Sequence, residues 1–310
     1  MLTFLSAVTF RSLSLVIFCC IFFFQNNCKQ GSATSNSSTH NGNGSTKNSN
    51  AQKSQIKNPS LFCPEGNAFY VLYYSNPINK PAGKRIRDLR PNFVITADSL
   101  YKNQEVPSFF HKDGQLSTNI RAISYLYVKG GEEDLNGLLK KIEDSMNAGY
   151  DGVFFDMVED ESSEEKQINY YAEISKKVKS FGKDKLVIYN PGEKNVEKWV
   201  FDYADIVSVE NNGIEKGLFD QPPTTNPEEK YLSWRWLSIL GDPSKYAAKD
   251  VDEANHRLKS FRDHGGLWFY SPPYCNDPKV CPDNSSHYLL PDWLEKFAAE
   301  AKKETVKCGQ

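Results

Sequence analysis

From about Leu61 onward the chain alternates short, almost purely apolar runs with longer amphipathic stretches. Eight runs read as strands: Ala68–Tyr74, Phe93–Thr96, Ala122–Val128, Gly152–Asp156, Leu186–Asn190, Ile206–Glu210, Tyr231–Leu237 and Gly266–Tyr270. Strands that are apolar at nearly every position, not at every second one, are covered on both faces, as in a parallel sheet. Four intervening stretches carry the 3.6-residue helical period: Glu132–Asn147, Glu164–Ser180, Val251–His264 and Asp292–Lys303. The other connections are weaker, and those around strands two and six contain loop-like sequence. Strand and helix alternating over about 250 residues predict a single α/β domain, a (β/α)8 barrel of TIM type. No Gly-x-Gly-x-x-Gly follows the first strand and no phosphate-loop Gly-Lys-Ser/Thr occurs, which removes the support for a nucleotide-binding open sheet.

The first sixty residues follow another pattern. Leu13–Phe24 is apolar, preceded by Arg11 as the only charge, and is shorter than the roughly 20 residues of a spanning helix. It predicts a signal peptide over 1–27. Residues 28–60, dominated by Ser, Asn, Thr, Gly, Gln and Lys, predict a disordered linker, because such a composition buries too little apolar surface to offset its ordering entropy. The barrel domain is then 61–310. Cys28, between the apolar run and the linker, is placed where a lipoprotein bears its lipid, which would make the N-terminus a membrane tether. Asn36, Asn43 and Asn284 head glycosylation triplets that fit a secreted protein equally well. A secreted or cell-surface location is expected on either reading.

Cysteine usage agrees with export. Beyond Cys19, Cys20 and Cys28, four remain, and four allow three pairings. Cys275 with Cys281 across a short loop, and Cys63 with Cys308 across the closure of the barrel, are the pairings a closed ring favours. A zinc site lacks any Cys-x-x-Cys, and the five histidines show no ligand spacing, so neither metal nor cofactor is expected. The chain's net charge is -2, but five of its basic residues precede residue 61, where no acid occurs; setting them aside leaves 32 basic against 39 acidic residues in the domain. That balance disfavours nucleic acid as a partner. A monomer is expected.

In such a barrel chemistry gathers at the C-terminal ends of the strands. Two strands end there in carboxylates, Asp156 and Glu210, the candidate catalytic pair. Tyr74, Tyr125, Tyr127, Asn190, Trp236, Trp268 and Tyr270 are the candidate substrate-binding residues around them. Paired carboxylates flanked by aromatic faces suit glycoside hydrolysis, in which one acid protonates the leaving oxygen and the other acts as nucleophile or base while rings stack on sugars. The plainer readings are a helix cap for Asp156, a turn residue for Asn190 in Asn190-Pro191-Gly192, and core packing for Trp236, Trp268 and Tyr270.

Gly152–Asp156, the pair Tyr170-Tyr171, Asn190-Pro191-Gly192 and Ala204-Asp205-Ile206 leading to Glu210 together resemble the spherulin-4 family of spherulation-specific cell-surface proteins. The resemblance is firmest over residues 120 to 210, and a weaker one extends to polygalactosaminidase-like barrels. It implies an endo-acting glycoside hydrolase of a galactosamine-containing polysaccharide, with Asp156 and Glu210 at the family's acidic positions. Met157 departs from it, standing where the family usually has a second acid. That departure also admits a non-catalytic polysaccharide-binding or adhesion protein on the same barrel.

Overall fold

Eight parallel strands form a nearly closed barrel in the computed structural model, with helices in the described connections. It describes residues 66–131, 133–158, 165–192, 198–210, 235–239, 247–263, 265–273 and 288–306, all within the compact unit Gln55–Gln310. The strands are β1 Tyr70–Tyr73, β2 Phe93–Thr96, β3 Arg121–Tyr127, β4 Gly152–Asp156, β5 Leu186–Asn190, β6 Ile206–Glu210, β7 Trp236–Ile239 and β8 Trp268–Phe269, in that order around the sheet. Among the described residues the helices are α1 Pro81–Leu89, α2 Glu105–His111, α3 Leu135–Asn147, α4 Glu165–Lys179, α5 Lys198–Tyr203, α6 Val251–Asp263 and α7 Leu294–Ala301. None of them is long and apolar enough to cross a membrane. The cysteines at 63, 275, 281 and 308, and residues 1–60, where a signal peptide and a linker are expected, lie outside the described residues.

Both faces of the strands are covered, as the unbroken apolar runs require. Inside the ring, Tyr70 stacks on Phe93 at 5.2 Å and Phe93 meets Trp268 at 5.0 Å between ring centroids. Outside it, Phe155 packs edge-on against Tyr189, whose hydroxyl donates to the Tyr171 carbonyl of α4 at 2.7 Å. Seven seams carry backbone hydrogen bonds, and β8 and β1 remain the ends of the hydrogen-bonded sheet. Side chains close that last seam. The Tyr70 hydroxyl donates to the Ser238 carbonyl at 2.5 Å, Tyr70 and Tyr270 lie edge-to-face at 6.0 Å, and Arg262 reaches the Ala68 carbonyl at 3.3 Å. Beside it, Gly66–Asn67 pairs antiparallel with Thr305–Val306, tying the two ends of the domain together.

β4 and β5 approach so closely that only glycine fits at position 152, where a Cβ would stand 2.3 Å from the Leu186 carbonyl oxygen. Gly152→Ala is therefore expected to cost about 1–3 kcal/mol, read as a lowered urea midpoint. An unchanged midpoint would mean that this seam yields without penalty.

The strand N-termini are held by structural ion pairs. Asp151, just ahead of β4, accepts from His111 Nε2 at 2.6 Å and from the Ala122 N–H at 3.0 Å, with Lys185 Nζ at 3.5 Å. Burial pushes its carboxyl up, but His111, the Ala122 N–H and Lys185 outweigh burial and hold it below its ordinary value. A depressed folded pKa gives stability that is complete above the unfolded value and is lost as pH falls through the folded one. Asp151→Asn should thus flatten the acid limb of stability below about pH 4, measured by urea melts across that range. A limb as steep as the wild type's would exclude this role.

Candidate active site

The strand C-termini bring polar groups from β3, β4 and β5 to one level, since Tyr127 is registered with Asp156 and Asp156 with Asn190. Asp156 is gripped from both sides. Its Oδ1 accepts from Asn190 Nδ2 at 2.6 Å, and its Oδ2 accepts a short hydrogen bond from the Tyr125 hydroxyl. Burial first, then the neighbouring Tyr74 and Asp156, push the Tyr125 phenol far above its ordinary range, so it remains a donor. Asn190 is buried, whereas Asp156 is half-buried. With both oxygens facing donors, the carboxylate is fixed in orientation.

The backbone around Asp156 is equally constrained. Its carbonyl accepts from the Val128 N–H at 3.0 Å, and the Val158 N–H donates to the Asn190 carbonyl at 3.0 Å, so the exit of β4 is tied to the exits of β3 and β5. Between those ties Met157 adopts φ 60°. Such a left-handed conformation costs a residue with a Cβ about 1–2 kcal/mol. It leaves Met157 exposed at 47% and Val158 buried at 1%. Strain held in place by surrounding hydrogen bonds is a recurrent property of functional sites.

Aromatic rings line the approach. Tyr125 stacks on Phe154 at 5.7 Å and meets Tyr74 edge-on at 5.3 Å, and Tyr74 in turn meets Tyr288 at 6.0 Å. Tyr127 is exposed. Tyr74, Tyr125, Tyr127 and Asn190 are thus gathered on the face that carries Asp156. Trp268 and Tyr270 are not: at 0% and 1% exposure they belong to the barrel core, against Phe93 and Tyr70, and offer a sugar no free ring face. Glu210 and Trp236 are described through their backbone. Glu210 ends β6 in register with Ile239, while Trp236 opens β7 opposite Val207.

Arg235, which lies toward the end of the apolar run Tyr231–Leu237, precedes β7 in the structure. Its guanidinium donates to the carbonyls of Phe201 at 2.5 Å and Ala204 at 2.6 Å, satisfying the C-terminus of α5. Two residues were missed. Asp98 follows β2 as Asp156 ends β4, in the turn Asp98–Leu100, and its charge acts on Tyr125. The run Phe93–Thr96 followed by Ala97 and Asp98 carried the signal used elsewhere. Tyr288 had none, for it belongs to no strand. No group of three or more His, Cys, Asp or Glu fit to hold a metal occurs among the described residues.

Residues 90–265, more than half of the chain, match the model of spherulation-specific family 4. The chain belongs to this family. No curated protein matches the sequence. Similar solved structures include a GH18 chitinase from Pseudoalteromonas aurantia, 12% identical over 75% of this chain and 99% of that one with a TM-score of 0.44. A chitinase from Bacteroides thetaiotaomicron is 9% identical over 66% and 89% with a TM-score of 0.40. A DHDPS from Cyanidioschyzon merolae is 11% identical over 73% and 72% with a TM-score of 0.39. The family match bears out the resemblance read from Gly152–Asp156, Tyr170-Tyr171, Asn190-Pro191-Gly192 and Ala204-Asp205-Ile206 leading to Glu210, and it reaches well beyond those blocks.

Proposed function

We propose that this chain is a glycoside hydrolase acting on an amino-sugar polysaccharide. Asp156 serves as nucleophile or base, and Glu210, from the end of β6, as general acid. The observation that carries the reading is the grip of Tyr125 and Asn190 on Asp156. A carboxylate held between two donors at the mouth of a barrel, below a wall of tyrosines, is oriented to meet an anomeric carbon or the cation that develops there. Family membership supports it. Secretion, or display at the cell surface by an N-terminal tether, is part of the same proposal, since a polymer of this kind lies outside the cell; a monomer without cofactor suffices for the chemistry.

A second reading keeps the barrel and its tyrosines as a polysaccharide-binding protein without turnover. Met157, apolar where the resemblance implies a second acid, favours it. The two separate when the purified protein is incubated with a panel of amino-sugar polymers and new reducing ends are followed by mass spectrometry. Cleavage supports the hydrolase, retention on a polymer without cleavage supports the binding protein, and neither outcome with any polymer overturns both.

A further inference from the structure

Met146 and Met157 are the two methionines among the described residues, and the fold treats them oppositely. Met146 lies on the buried face of α3 and is 6% exposed. Met157 follows Asp156 directly and is 47% exposed. Methionine usually packs inward; this one is held out by its backbone. At φ 60° it stands between two tied peptides, the Asp156 carbonyl accepting from the Val128 N–H and the Val158 N–H donating to the Asn190 carbonyl. Those ties bury Val158 and leave the thioether beside it in solvent. The sulfur lone pairs of an exposed thioether are open to a peroxide, whereas those of Met146 are shielded by the core.

We propose that Met157 is an oxidation site through which a hydroperoxide outside the cell weakens the hold of a polymer beside Asp156. The effect on the polymer rests on the carbohydrate-active reading given above. In the step, the thioether sulfur attacks a peroxide oxygen: an S–O bond forms, the O–O bond breaks, and the departing hydroxide takes the proton left on the transferred oxygen and leaves as water. The sulfur gives up the two electrons that the peroxide gains. The product carries a hydrogen-bond acceptor where an apolar group stood. A polymer bound at Asp156 has to pass Met157, whose Cα is about 3.8 Å further along the chain, and the sulfoxide oxygen has to give up its water to let it pass. Because methionine sulfoxide is reduced enzymatically, the change is reversible.

The test treats the full chain with graded hydrogen peroxide and locates the added oxygen by peptide mass spectrometry. KM, kcat and retention on an amino-sugar polymer are measured before treatment, after it, and after reduction by methionine sulfoxide reductases for both epimers. Met157 should take up its oxygen about tenfold faster than Met146. KM should then rise about threefold to tenfold with kcat within about twofold, Tm should stay within about 2 °C, and reduction should restore KM. Met157→Leu, compared with its own value before treatment, should show no change, and Met157→Gln should show a raised KM without peroxide. Where a polymer is retained and not cleaved, Kd takes the place of KM. Oxidation of Met146 as fast as Met157, an unchanged KM once Met157 carries its oxygen, or an equal rise in Met157→Leu overturns the inference and leaves the hydrolase standing. If no polymer is cleaved or retained before treatment, the functional reading and the inference fall together.

Discussion

Asp156→Asn is expected to lower kcat/KM on the cleaved polymer by roughly 10³–10⁴-fold while leaving Tm within about 2 °C of wild type. The asymmetry follows from the geometry. An amide has the shape of the carboxylate, so its oxygen still accepts from Asn190 Nδ2, and its NH2 group faces the Tyr125 oxygen, which carries lone pairs able to accept. The local hydrogen bonds survive, whereas the negative charge that attacks carbon or abstracts a proton does not. Glu210→Gln should show a loss of similar order with the polymer still bound. Full turnover in both variants would sink the carboxylate pair and leave the barrel as a binding scaffold. A collapse of Tm in Asp156→Asn would mean that the residue is structural.

The largest expected loss of stability lies at the other end of the barrel. Asp205, fully buried just ahead of β6, accepts from Lys179 Nζ at 2.6 Å and from the Val187 N–H at 2.8 Å. Lys179→Met removes the cation and strands the carboxylate, which is expected to cost about 3–5 kcal/mol and about 10 °C in Tm. The pH dependence has a definite sign. Burial already raises the Asp205 carboxyl above its ordinary range against the pull of Lys179, and without that cation it rises further. A raised folded value gives stability that is complete below the unfolded pKa and is lost as pH rises, so the deficit of Lys179→Met is greatest near neutrality and shrinks toward about pH 4. Adding Asp205→Asn should recover part of the loss at neutral pH. A deficit independent of pH, or none, would contradict the pairing.

Asp205 also shows what a sequence pattern can and cannot convey. Ala204-Asp205-Ile206 marks the family as clearly as Gly152–Asp156 does, yet its acid clamps α4 to the start of β5 and β6, far from the chemistry. Position along the strand decides the role: an acid before a parallel strand meets the helices below, and an acid after it meets solvent and substrate. Strands β2, β4, β5 and β6 coincide with their apolar runs because each is buried on both faces. Helices α1, α2 and α5 escaped notice for the converse reason. They are 9, 7 and 6 residues long, α1 buries only Gly83 and Ile86, and α2 contains Pro107 near its start. Helices this short show only about two periods of their pattern.

The predicted strand Gly266–Tyr270 shrinks to Trp268–Phe269 since its far edge is sealed by side chains, which leave no sequence period. Met157 is the hardest feature to read. A methionine gives no hint of a left-handed backbone, which here arises from hydrogen bonds between β3, β4 and β5 that exist only once the ring is assembled. Within the site, Asp156, Asn190 and Tyr125 were legible because they end or line strands, whereas Tyr288 reaches Tyr74 from the approach to α7.

The antiparallel pairing of Gly66–Asn67 with Thr305–Val306 puts the chain's entry into the barrel and its departure from it side by side, at the pole opposite Asp156. A fusion partner, a bead or a cell envelope attached at either end would therefore hold the domain by its back. The mouth that carries Asp156 would then face away from the attachment.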